Sequence, residues 1–282
     1  MSQAFDGKVA VVTGAAGTLC SAIARNLAER GVSVVLVGRT IENLEAVREQ
    51  IERAGGRVLV AAADVTDESA VYGVREKVMD AFGPCDLLIN GAGGNQSDAL
   101  TTKTTCEPGD ADVEDPDELR TFFNLNLERF QSVLTINTMG TVIPSRVFGA
   151  DMAKAGRGVI LNFASMNTYR PLTRVAAYAM SKAAISNFTQ WLAVHLAPSG
   201  VRVNAVAPGF FVNDRSRKIL MTEDGGLSPR GQQVMSHTPQ QRFGEAEDLL
   251  GGVRWLLDDE ASAFVTGQTL NIDGGFLAHA GV

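Results

Sequence analysis

The feature that most constrains this chain is the regular alternation of short apolar runs with longer stretches of helical periodicity. The apolar runs are nearly continuous in aliphatic residues, which is typical of parallel strands buried on both faces. Seven runs are predicted to be strands: Lys8–Val12, Ser33–Val37, Arg57–Ala62, Leu87–Asn90, Gly158–Phe163, Arg202–Val206 and Gln268–Ile272. Because right-handed crossovers place helices on both faces, the sequence predicts an α/β fold with a doubly wound, parallel seven-stranded sheet.

The segments between these strands predict the helices. They are Leu19–Arg30, Ile41–Ala54, Glu68–Phe82, Leu119–Lys154 (expected to be broken), Thr173–Leu196 and Glu245–Leu257. No repeat or linker divides the chain, so residues 1–282 are predicted to form a single domain. Two polar, turn-rich segments, 93–117 and 210–239, follow the fourth and sixth strands. We expect these loops to lie over a substrate at the carboxyl edge of the sheet.

The net charge and the cysteine content indicate which class of partner and which cellular compartment to expect. A net charge of −7 argues against nucleic acid or an anionic membrane surface as the main partner, which favours a small molecule. The three cysteines, Cys20, Cys85 and Cys106, are too few and too irregularly spaced for a disulfide framework. The sequence contains neither a secretion signal nor an apolar run of the ~18 residues that span a membrane. A cytoplasmic protein is therefore expected.

A turn rich in Gly and Ala joins the first predicted strand to the first predicted helix. It reads Thr-Gly-Ala-Ala-Gly-Thr-Leu-Cys over residues 13–20. Small residues let the backbone approach a dinucleotide pyrophosphate, whose charge meets the amides at the helix N-terminus. An ordinary tight turn has a similar composition, but the position after the first strand favours a cofactor site. The candidate cofactor-binding residues here are Gly14, Ala16, Gly17, Thr18 and Leu19.

The end of the second strand bears on the choice of dinucleotide. A site selective for NAD tends to place Asp or Glu there, to accept hydrogen bonds from the ribose 2′-hydroxyl. This chain has Gly38 and Arg39 instead, and a guanidinium suits the 2′-phosphate of NADP(H). A solvated arginine before a helix is the alternative interpretation. We therefore favour NADP(H) as cofactor, with NAD(H) as the alternative.

Two more strand ends carry candidate cofactor contacts. Asp64 and Val65 close the third strand, where Asp64 is suited equally to binding the adenine and to capping the turn. Asn90, Ala92 and Gly93 belong to the stretch Asn-Gly-Ala-Gly after the fourth strand. These small residues are predicted to lie beside the cofactor, although a plain Gly-rich turn would have the same composition.

Three polar residues near the fifth strand carry the predicted chemistry. Ser165 follows that strand, and Tyr178 and Lys182 come next on a predicted helix. Because they are four residues apart, Tyr178 and Lys182 project from one helix face. A phenol is a weak acid with a pKa of ~10, and a nearby ammonium favours its ionised form, which makes proton exchange easier. The set suits interconversion of an alcohol and a carbonyl, with Ser165 holding the substrate oxygen.

Taken together, these motifs resemble the short-chain dehydrogenase/reductase family over nearly the whole chain. The family combines a TGxxxGxG turn, an NNAG stretch and a catalytic set of Asn, Ser, Tyr and Lys. Further matches are Asn137 in Ile-Asn-Thr-Met-Gly, Pro208-Gly209, and the tail from residue 265 to residue 275. The resemblance implies a Rossmann-type fold, with Tyr178 as general acid/base and Lys182 supporting it. It also implies that Ser165 orients the carbonyl and that Asn137 holds a water in a proton relay.

The resemblance further implies which residues contact the nicotinamide half of the cofactor. They are Tyr178, Lys182, Pro208, Gly209, Phe211 and Asn213. Some positions depart from the family pattern. Thr18 and Cys20 occupy the positions of the second and third motif glycines, Gly91 replaces the second Asn of NNAG, and Asn213 stands where the family has threonine. These changes are expected to reshape the phosphate turn without abolishing it, because its contacts are mainly backbone amides.

Within the family, the chain is similar to the fructuronate reductase (D-mannonate oxidoreductase) type, whose members reduce a keto sugar acid. The shared features include the Gly-x-x-Gly-x-Leu-Cys turn, the Gly-Gly-Asn start of an extended loop at residues 93–95, and Pro-Gly-Phe-Phe at 208–211. A polyhydroxy acid needs hydrogen bonds and a cation for its carboxylate. Asn95, Asn167 and Arg217 are the predicted substrate ligands, with Arg170 and Arg215 also available near the loops.

Two other functions remain open at this stage. One is a 3-oxoacyl or broad-range ketone reductase of the same family, and the other is a non-catalytic nucleotide-binding sensor. The histidines, His195, His237 and His279, lack metal-ligand spacing, so no metal site is expected. An Ala-rich stretch over residues 176–184 suits either subunit contact or internal packing. Because members of the family form tetramers, a homotetramer is expected.

Overall fold

Seven parallel strands form the centre of the protein. A computed structural model describes residues 3–281, except for the side chains of residues 3, 214 and 215. The strands are β1 (Val9–Thr13), β2 (Ser33–Gly38), β3 (Val58–Ala62), β4 (Leu87–Asn90), β5 (Gly158–Phe163), β6 (Val201–Pro208) and β7 (Thr269–Ile272). They pair in the order β3-β2-β1-β4-β5-β6-β7, and every pairing is parallel. The predicted Rossmann-type sheet is confirmed.

Eight α-helices are described around this sheet. They are α1 (Thr18–Ala28), α2 (Ile41–Arg53), α3 (Glu68–Phe82), α4 (Leu127–Ala155), α5 (Ala176–Leu196), α6 (Asp214–Leu220), α7 (Pro229–Ser236) and α8 (Ala246–Leu257). Helices α1, α2 and α8 pack on one face of the sheet, and α3, α4 and α5 pack on the other. The crossovers therefore cover both faces, as predicted.

The alternation of side chains along each strand separates two apolar cores. In β1, Ala10 and Val12 face the core beneath α1, α2 and α8, whereas Val9 and Val11 face the core beneath α3, α4 and α5. All four are at most 4% exposed, which explains why the strand is apolar throughout rather than at every second residue.

Helix α4 differs from the prediction in its start and in its continuity. It begins at Leu127 rather than Leu119, because the side chain of Asn126 caps it by accepting from the Arg129 amide. Just before it, the Asn124 amide accepts from the Thr121 N–H and donates to two carbonyls, which holds a turn. The sequence also predicted that this helix is broken, and that prediction was wrong.

Pro144 lies inside the uninterrupted helix α4 and is buried. A proline within a helix lacks one backbone donor and usually kinks or ends the helix. Here α4 is packed against α3, α5 and the strands β4 and β5, so tertiary contacts hold it together across the proline.

The predicted loop at 210–239 contains two short helices, α6 and α7, rather than only turns. Asn213 caps α6 by accepting from the Ser216 amide, and Ser228 caps α7 by accepting from the Gly231 amide. The other predicted loop, 93–117, contains only two short 3₁₀ turns. Both segments follow strand ends on the carboxyl side, β6 and β4 respectively.

Strand register brings the polar strand ends together. Thr13 pairs with Asn90 at the ends of β1 and β4, and Asn90 pairs with Asn162 near the end of β5. Because parallel strands point the same way, the segments that follow them emerge at one edge of the sheet. The predicted site residues follow these strands, so the register gathers them at that edge.

Candidate active site

A cavity of about 520 Å³ opens at the carboxyl edge of the sheet. Residues following six of the seven strands line it, together with residues of α4 and α5. The predicted site residues among them are Gly14, Ala16, Gly17, Thr18, Leu19, Arg39, Asp64, Val65, Ala92, Gly93, Ser165, Tyr178, Lys182, Pro208, Gly209, Phe211 and Asn213. Thus the two ends of the predicted site, nucleotide and chemical, share one cavity.

The Gly-rich turn is closely packed and leaves backbone amides available. Gly14 has φ 65°, and a β-carbon there would lie 2.8 Å from the backbone of Ala92, so only glycine fits. The Thr13 hydroxyl accepts from the amides of Gly91 and Ala92, each at 3.1 Å, which ties the first turn to the fourth strand. Helix α1 starts without a side-chain cap, so no side chain accepts a hydrogen bond from its first backbone amides. These amides are therefore available to an anion in the cavity.

At the adenosine end, Arg39 and Asp64 both line the cavity. Arg39 is exposed, and no described carboxylate forms an ion pair with it. Asp64 accepts hydrogen bonds from the Thr66 amide (2.9 Å) and the Thr66 hydroxyl (2.7 Å). These bonds, with a smaller effect of the charge on Arg39, lower the pKa of Asp64. Asp64 therefore caps its turn and also lines the cavity.

The hydroxyl of Ser165 is oriented by its buried neighbour Asn167. The backbone amide and the side-chain amide of Asn167 both donate to Ser165 Oγ, each at 3.2 Å. With both acceptor positions filled, the hydroxyl keeps its proton to donate to another oxygen. The side-chain oxygen of Asn167 accepts a hydrogen bond from the backbone amide of Leu172 at 2.9 Å, which fixes the Asn167 side chain. Asn167, which the sequence predicts as a substrate ligand, contacts Ser165 directly.

Tyr178 and Lys182 lie on one face of α5, one turn apart. The Lys182 ammonium is 5.5 Å from the centroid of the Tyr178 ring and donates to the Phe163 carbonyl at 2.7 Å. Burial lowers the pKa of Lys182 to about 8, and the neighbouring Cys20 thiol opposes this shift. Burial raises the pKa of the Tyr178 phenol, and a hydrogen bond with Ser165 opposes that shift. The three predicted side chains thus meet, and burial makes proton loss from the lysine easier.

Asn137 is fully buried in α4 beside this group rather than on the cavity wall. Its side-chain amide donates to the carbonyls of Gly94 (2.7 Å) and Val133 (2.8 Å), and its oxygen accepts from the Gly94 amide. A β-carbon on Gly93 would lie 2.5 Å from Asn137 Oδ1 and 3.7 Å from Lys182 Nζ. Asn137 and Lys182 therefore flank the same glycine, and Asn137 holds the start of the segment that follows β4.

Asn90 is buried beneath the cavity rather than lining it. Its side-chain amide donates to the Ser145 hydroxyl at 2.8 Å and to Asn162 Oδ1 at 2.9 Å. Asn162 in turn donates to Thr189 Oγ1 at 2.9 Å. These bonds join β4, β5, α4 and α5 directly under the chemical end of the site.

The residues after β6 close the far side of the cavity. A β-carbon on Gly209 would lie 2.6 Å from the Asp273 backbone, so this glycine allows the close approach of the tail that follows β7. Asn213 uses its side-chain oxygen to cap α6 through the Ser216 amide at 2.9 Å. Its side-chain NH₂ is therefore the part suited to a carboxamide oxygen.

None of the predicted substrate ligands, Asn95, Asn167 and Arg217, lines the cavity. Asn95 is half-buried in the segment after β4, and its side chain accepts from the Gln96 amide at 3.0 Å. Arg217 lies on α6 and lines a different groove, described below, near the Gly-rich turn. Arg170 donates to the His279 carbonyl at 2.8 Å. The side chain of Arg215 lies outside the described residues.

Sequence reasoning missed several residues of this site. Asn43, Ile136 and Phe163 line the cavity, and no motif pointed to them. Cys20 was noted only as a departure from the family pattern, yet it lines the cavity next to Lys182. Burial raises the pKa of its thiol to about 12.

Neither a metal cluster nor a membrane-spanning helix was found in the described part of the chain. No group of three or more His, Cys, Asp or Glu side chains is placed to hold a metal ion among residues 3–281. Of the helices described, none combines the length and the hydropathy needed to cross a bilayer.

The comparisons with known proteins identify the family. The short chain dehydrogenase family matches residues 8–224. The uncharacterized oxidoreductase UxuB of Bacillus subtilis strain 168 is 45% identical over 276 residues, which cover 98% of this chain and 97% of that protein. The chain therefore belongs to the short-chain dehydrogenase/reductase family and is an oxidoreductase.

Two solved structures extend this similarity. One is a protein from Haemophilus influenza to which D-mannonate oxidoreductase activity is ascribed, solved with bound NAD; it is 38% identical, covers 100% of both chains and has a TM-score of 0.92. The other is a protein from Beutenbergia cavernae to which NAD(P)-dependent gluconate 5-dehydrogenase activity is ascribed, solved with NADP at low occupancy. It is 33% identical, covers 97% of this chain and 98% of that chain, and has a TM-score of 0.80.

The cavity fits a nicotinamide dinucleotide on the geometry of its own residues. Its floor at the Gly-rich turn has no room for a β-carbon at Gly14, and the uncapped start of α1 offers amides to a pyrophosphate. The Gly-rich turn would hold the pyrophosphate, and Arg39, Asp64 and Val65 the adenosine half. The nicotinamide half would be held by Tyr178, Lys182, Pro208, Gly209, Phe211 and Asn213. When bound, the dinucleotide supplies or accepts the hydride.

Proposed function

We propose that this protein interconverts a secondary alcohol and a ketone at Ser165, Tyr178 and Lys182, with a nicotinamide dinucleotide as hydride carrier. The observation that carries the proposal is the convergence of these three side chains at one end of a dinucleotide-sized cavity. A protein that only binds a nucleotide would need only the residues at the nucleotide end of the cavity. A proton donor next to a buried ammonium is typical of a site for acid–base catalysis.

In the direction of reduction, each side chain has a separate task. The Ser165 hydroxyl, whose acceptor positions are filled by Asn167, donates to the substrate carbonyl oxygen and holds it. Tyr178 gives its phenolic proton to the developing alkoxide, and Lys182 stabilises the phenolate that remains. The Phe163 carbonyl fixes the lysine by accepting from it at 2.7 Å. Asn137 acts as a positioning residue, because its side chain holds the segment after β4 through the Gly94 backbone.

We further propose that the substrate is a sugar acid or a related sugar, as in fructuronate reductase-like enzymes. Support comes from the sugar acid activities ascribed to the Haemophilus and Beutenbergia proteins. A carboxylate substrate also requires a cation close to the catalytic residues. Two arginines that sequence reasoning did not select, Arg174 and Arg230, are the candidates for this cation, and both lie outside the lining of the dinucleotide cavity.

Arg174 lies two residues before the start of α5 and four residues before Tyr178. It is held by Thr101: its Nε donates to the Thr101 carbonyl at 2.8 Å, and its own carbonyl accepts from the Thr101 amide at 3.2 Å. Its φ of 74° is unusual for a residue with a side chain, so its placement costs energy that packing must offset.

Arg230 lies at the start of α7 and is half-buried. Burial, with a smaller effect of the charge on Arg174, lowers the pKa of Arg230. No described carboxylate forms an ion pair with either arginine. Two neighbouring guanidinium groups without an anion repel each other, and a substrate carboxylate would relieve that repulsion. We propose this pair as the carboxylate ligand.

For the dinucleotide we propose a preference for NADP(H), supported by the exposed Arg39 at the adenosine end and by Gly38 in place of an acidic residue. NAD(H) is the second candidate, favoured by the NAD bound to the Haemophilus protein. Kinetics with both dinucleotides decide between them.

The experiment that tests the activity is a substrate panel with NADPH and NADH. It contains keto sugar acids, their neutral keto sugar counterparts, 3-oxoacyl thioesters and simple ketones. We expect turnover of a keto sugar acid at a kcat/KM well above that of its neutral counterpart. Turnover of 3-oxoacyl thioesters alone would reject the sugar acid proposal. Dinucleotide binding with no turnover across the panel would support a sensor instead.

The carboxylate site is tested with Arg174→Gln and Arg230→Gln, and Arg53→Gln on the distant surface of α2 is the control. Hydrogen bonds to charged groups contribute about 1.5–3 kcal/mol, so each site variant should lower kcat/KM for the keto acid roughly 10- to 100-fold. The neutral counterpart should lose much less. Equal losses for both substrates would show that the arginines do not bind the carboxylate.

We also propose that the protein is a homotetramer in the cytoplasm. Large apolar side chains are exposed on α5, including Met180 (56% exposed), Trp191 (59%) and Val194 (78%), and such a patch suits burial against another subunit. The described cysteines are free thiols, which suits a reducing compartment. Light scattering of the purified protein and cell fractionation test the two statements separately.

A further inference from the structure

A second groove, of about 870 Å³, adjoins the dinucleotide cavity. The two share three lining residues, Ala16, Thr18 and Asn43, so they meet at the Gly-rich turn and the start of α2. The opposite wall of the groove is formed by α6, through Arg217, and by the segment that leads into α8. A dinucleotide lying on the Gly-rich turn would therefore lie next to the groove that α6 lines.

Three arginines line this groove, and two of them are already engaged. Arg25 donates to the Gln50 side chain at 3.0 Å, and Arg242 forms an ion pair with Asp248. Arg217 is exposed and forms no ion pair with any side chain that the structure describes. Glu245 and Glu247 also line the groove, but neither forms an ion pair with Arg217, so its charge is not compensated by a carboxylate there.

The position of Arg217 along α6 indicates which anion its charge would bind. Asn213, which lines the dinucleotide cavity, lies one helical turn before Arg217, and the Arg217 amide donates to its carbonyl at 2.8 Å. Thr18, which lines both cavities, is the first residue of α1, where the uncapped amides lie. Arg39, at the ribose end, lines the cavity but not the groove. Arg217 thus lines the groove that joins the dinucleotide cavity at the Gly-rich turn, whereas Arg39 lies outside that groove.

We propose that Arg217 binds the pyrophosphate of the dinucleotide from above, opposite the amides of the Gly-rich turn and of α1. This inference rests on the proposed function, because it assumes that the cavity holds a nicotinamide dinucleotide. It assigns Arg217 to the cofactor instead of the substrate, the role that the sequence predicted. A flexible guanidinium closing on a pyrophosphate forms charge-assisted hydrogen bonds that both dinucleotides share.

The test measures dinucleotide binding directly, by the change in NADH and NADPH fluorescence on titration with the protein, alongside turnover. The variants are Arg217→Gln, Arg217→Lys and the control Lys218→Gln, which removes the adjacent exposed cation on α6 that does not line the groove. Arg217→Gln should raise the Kd for NADH and NADPH by the same factor, about tenfold. Arg217→Lys should recover part of the affinity, and Lys218→Gln should stay within twofold of the parent protein.

Binding of ADP and adenosine separates the pyrophosphate from the rest of the ligand. Arg217→Gln should weaken ADP but leave adenosine unchanged. The proposal is overturned if Arg217→Gln matches Lys218→Gln, if the loss is larger for NADPH than for NADH, or if only the KM for the carbonyl substrate changes. Failure of the proposed function itself would be recognised separately, because the parent protein would then bind neither dinucleotide or would turn over no carbonyl.

Discussion

The sulfur of Cys20 occupies the space directly above the α-carbon of Gly91. A β-carbon on Gly91 would stand 2.1 Å from Cys20 Sγ, far inside contact distance. Both residues depart from the family pattern, Cys20 in place of a glycine and Gly91 in place of an asparagine. The two departures compensate each other in volume. The turn after β4 has a smaller residue than the family pattern, and helix α1 has a larger one. A side chain at position 91 therefore requires either a smaller residue at position 20 or a displacement of Cys20.

This compensation in volume predicts strong coupling between the two positions. Gly91→Ala should destabilise the protein by about 1–3 kcal/mol, because the added methyl collides with Sγ in a packed site. In the background of Cys20→Gly the same change should cost at least about 1 kcal/mol less, since the sulfur is gone. Denaturant unfolding of the two single variants and the double variant measures the difference.

Gly73→Ala is the matched control for this cycle, because no atom lies within 4 Å of a β-carbon at that position in helix α3. It should be neutral or stabilising by up to about 1 kcal/mol, the difference in helix propensity. Additive costs at Cys20 and Gly91 would contradict the proposed compensation.

Replacement of the proposed acid tests the chemistry. Tyr178→Phe removes the phenolic proton with little change in shape, so kcat should fall by about 10²–10⁴, the usual contribution of a general acid. The Kd for the dinucleotide should change less than about twofold, since most of its contacts lie elsewhere. Stopped-flow or steady-state rates with the preferred substrate provide the measurement.

Tyr169→Phe is the control for Tyr178→Phe, because Tyr169 is an exposed tyrosine on the segment between β5 and α5. It should keep the parent rate. If Tyr178→Phe also kept that rate, another group would have to supply the proton.

The buried lysine predicts a particular dependence of stability on pH. The pKa of Lys182 falls from 10.5 to about 8 on burial. Between these values the unfolded chain holds a proton that the folded protein has lost, so this residue makes the folded state more stable as pH rises from about 8 to 10. The free energy of unfolding of the parent protein, relative to Lys182→Met, should therefore increase across that window by up to about 3 kcal/mol.

Comparison with Lys182→Met isolates the lysine, because Cys20 and Tyr178 are present in both proteins. Burial raises the pKa of both groups, to about 12 for Cys20, and their titration acts in the opposite direction at high pH. The measurement is urea unfolding at pH 7, 8, 9 and 10. A constant difference across this range would mean that Lys182 keeps its ordinary pKa.

The cofactor preference is tested at Arg39. Arg39→Ala should raise the KM for NADPH about tenfold or more and leave that for NADH within about twofold, because only NADPH has the 2′-phosphate for a charge-assisted bond. Steady-state kinetics at saturating substrate measure both constants, with Arg53→Ala as a distant control. An equal effect on the two dinucleotides would leave NAD(H) as the better assignment.

The sheet could be predicted from the sequence because its strands are buried on both faces. Each strand is therefore a continuous apolar run, and strand ends were predicted within about two residues. The helices that the sequence misjudged depend on polar side chains. Asn124 and Asn126 decide where α4 begins, and Asn213 and Ser228 cap the short helices of the 210–239 segment. Hydrophobic periodicity carries no information about such bonds.

The proximity of Ser165, Tyr178 and Lys182 was predictable because Ser165 follows a strand end and the other two share one helix face. Contacts that depend on the packing of elements far apart in the sequence could not be predicted. Arg217 was assigned to the substrate from its position in a loop, and the structure places it in a groove that Ala16 and Thr18 of the Gly-rich turn also line. The neighbourhood of Arg174 and Arg230, more than 50 positions apart in the sequence, depends on how α7 folds back, which no local pattern encodes.

The buried side chains of Ser145, Asn90, Asn162 and Thr189 form a hydrogen-bonded chain that affects how the protein unfolds. The chain links two strands and two helices, and breaking any of its bonds would leave a buried polar group without a partner. These four elements should therefore unfold as one cooperative unit, and the side-chain amide protons of Asn162 should exchange with deuterium only on global unfolding. Fluctuations of the outer helices α6 and α7 would then leave the proton-transfer centre intact.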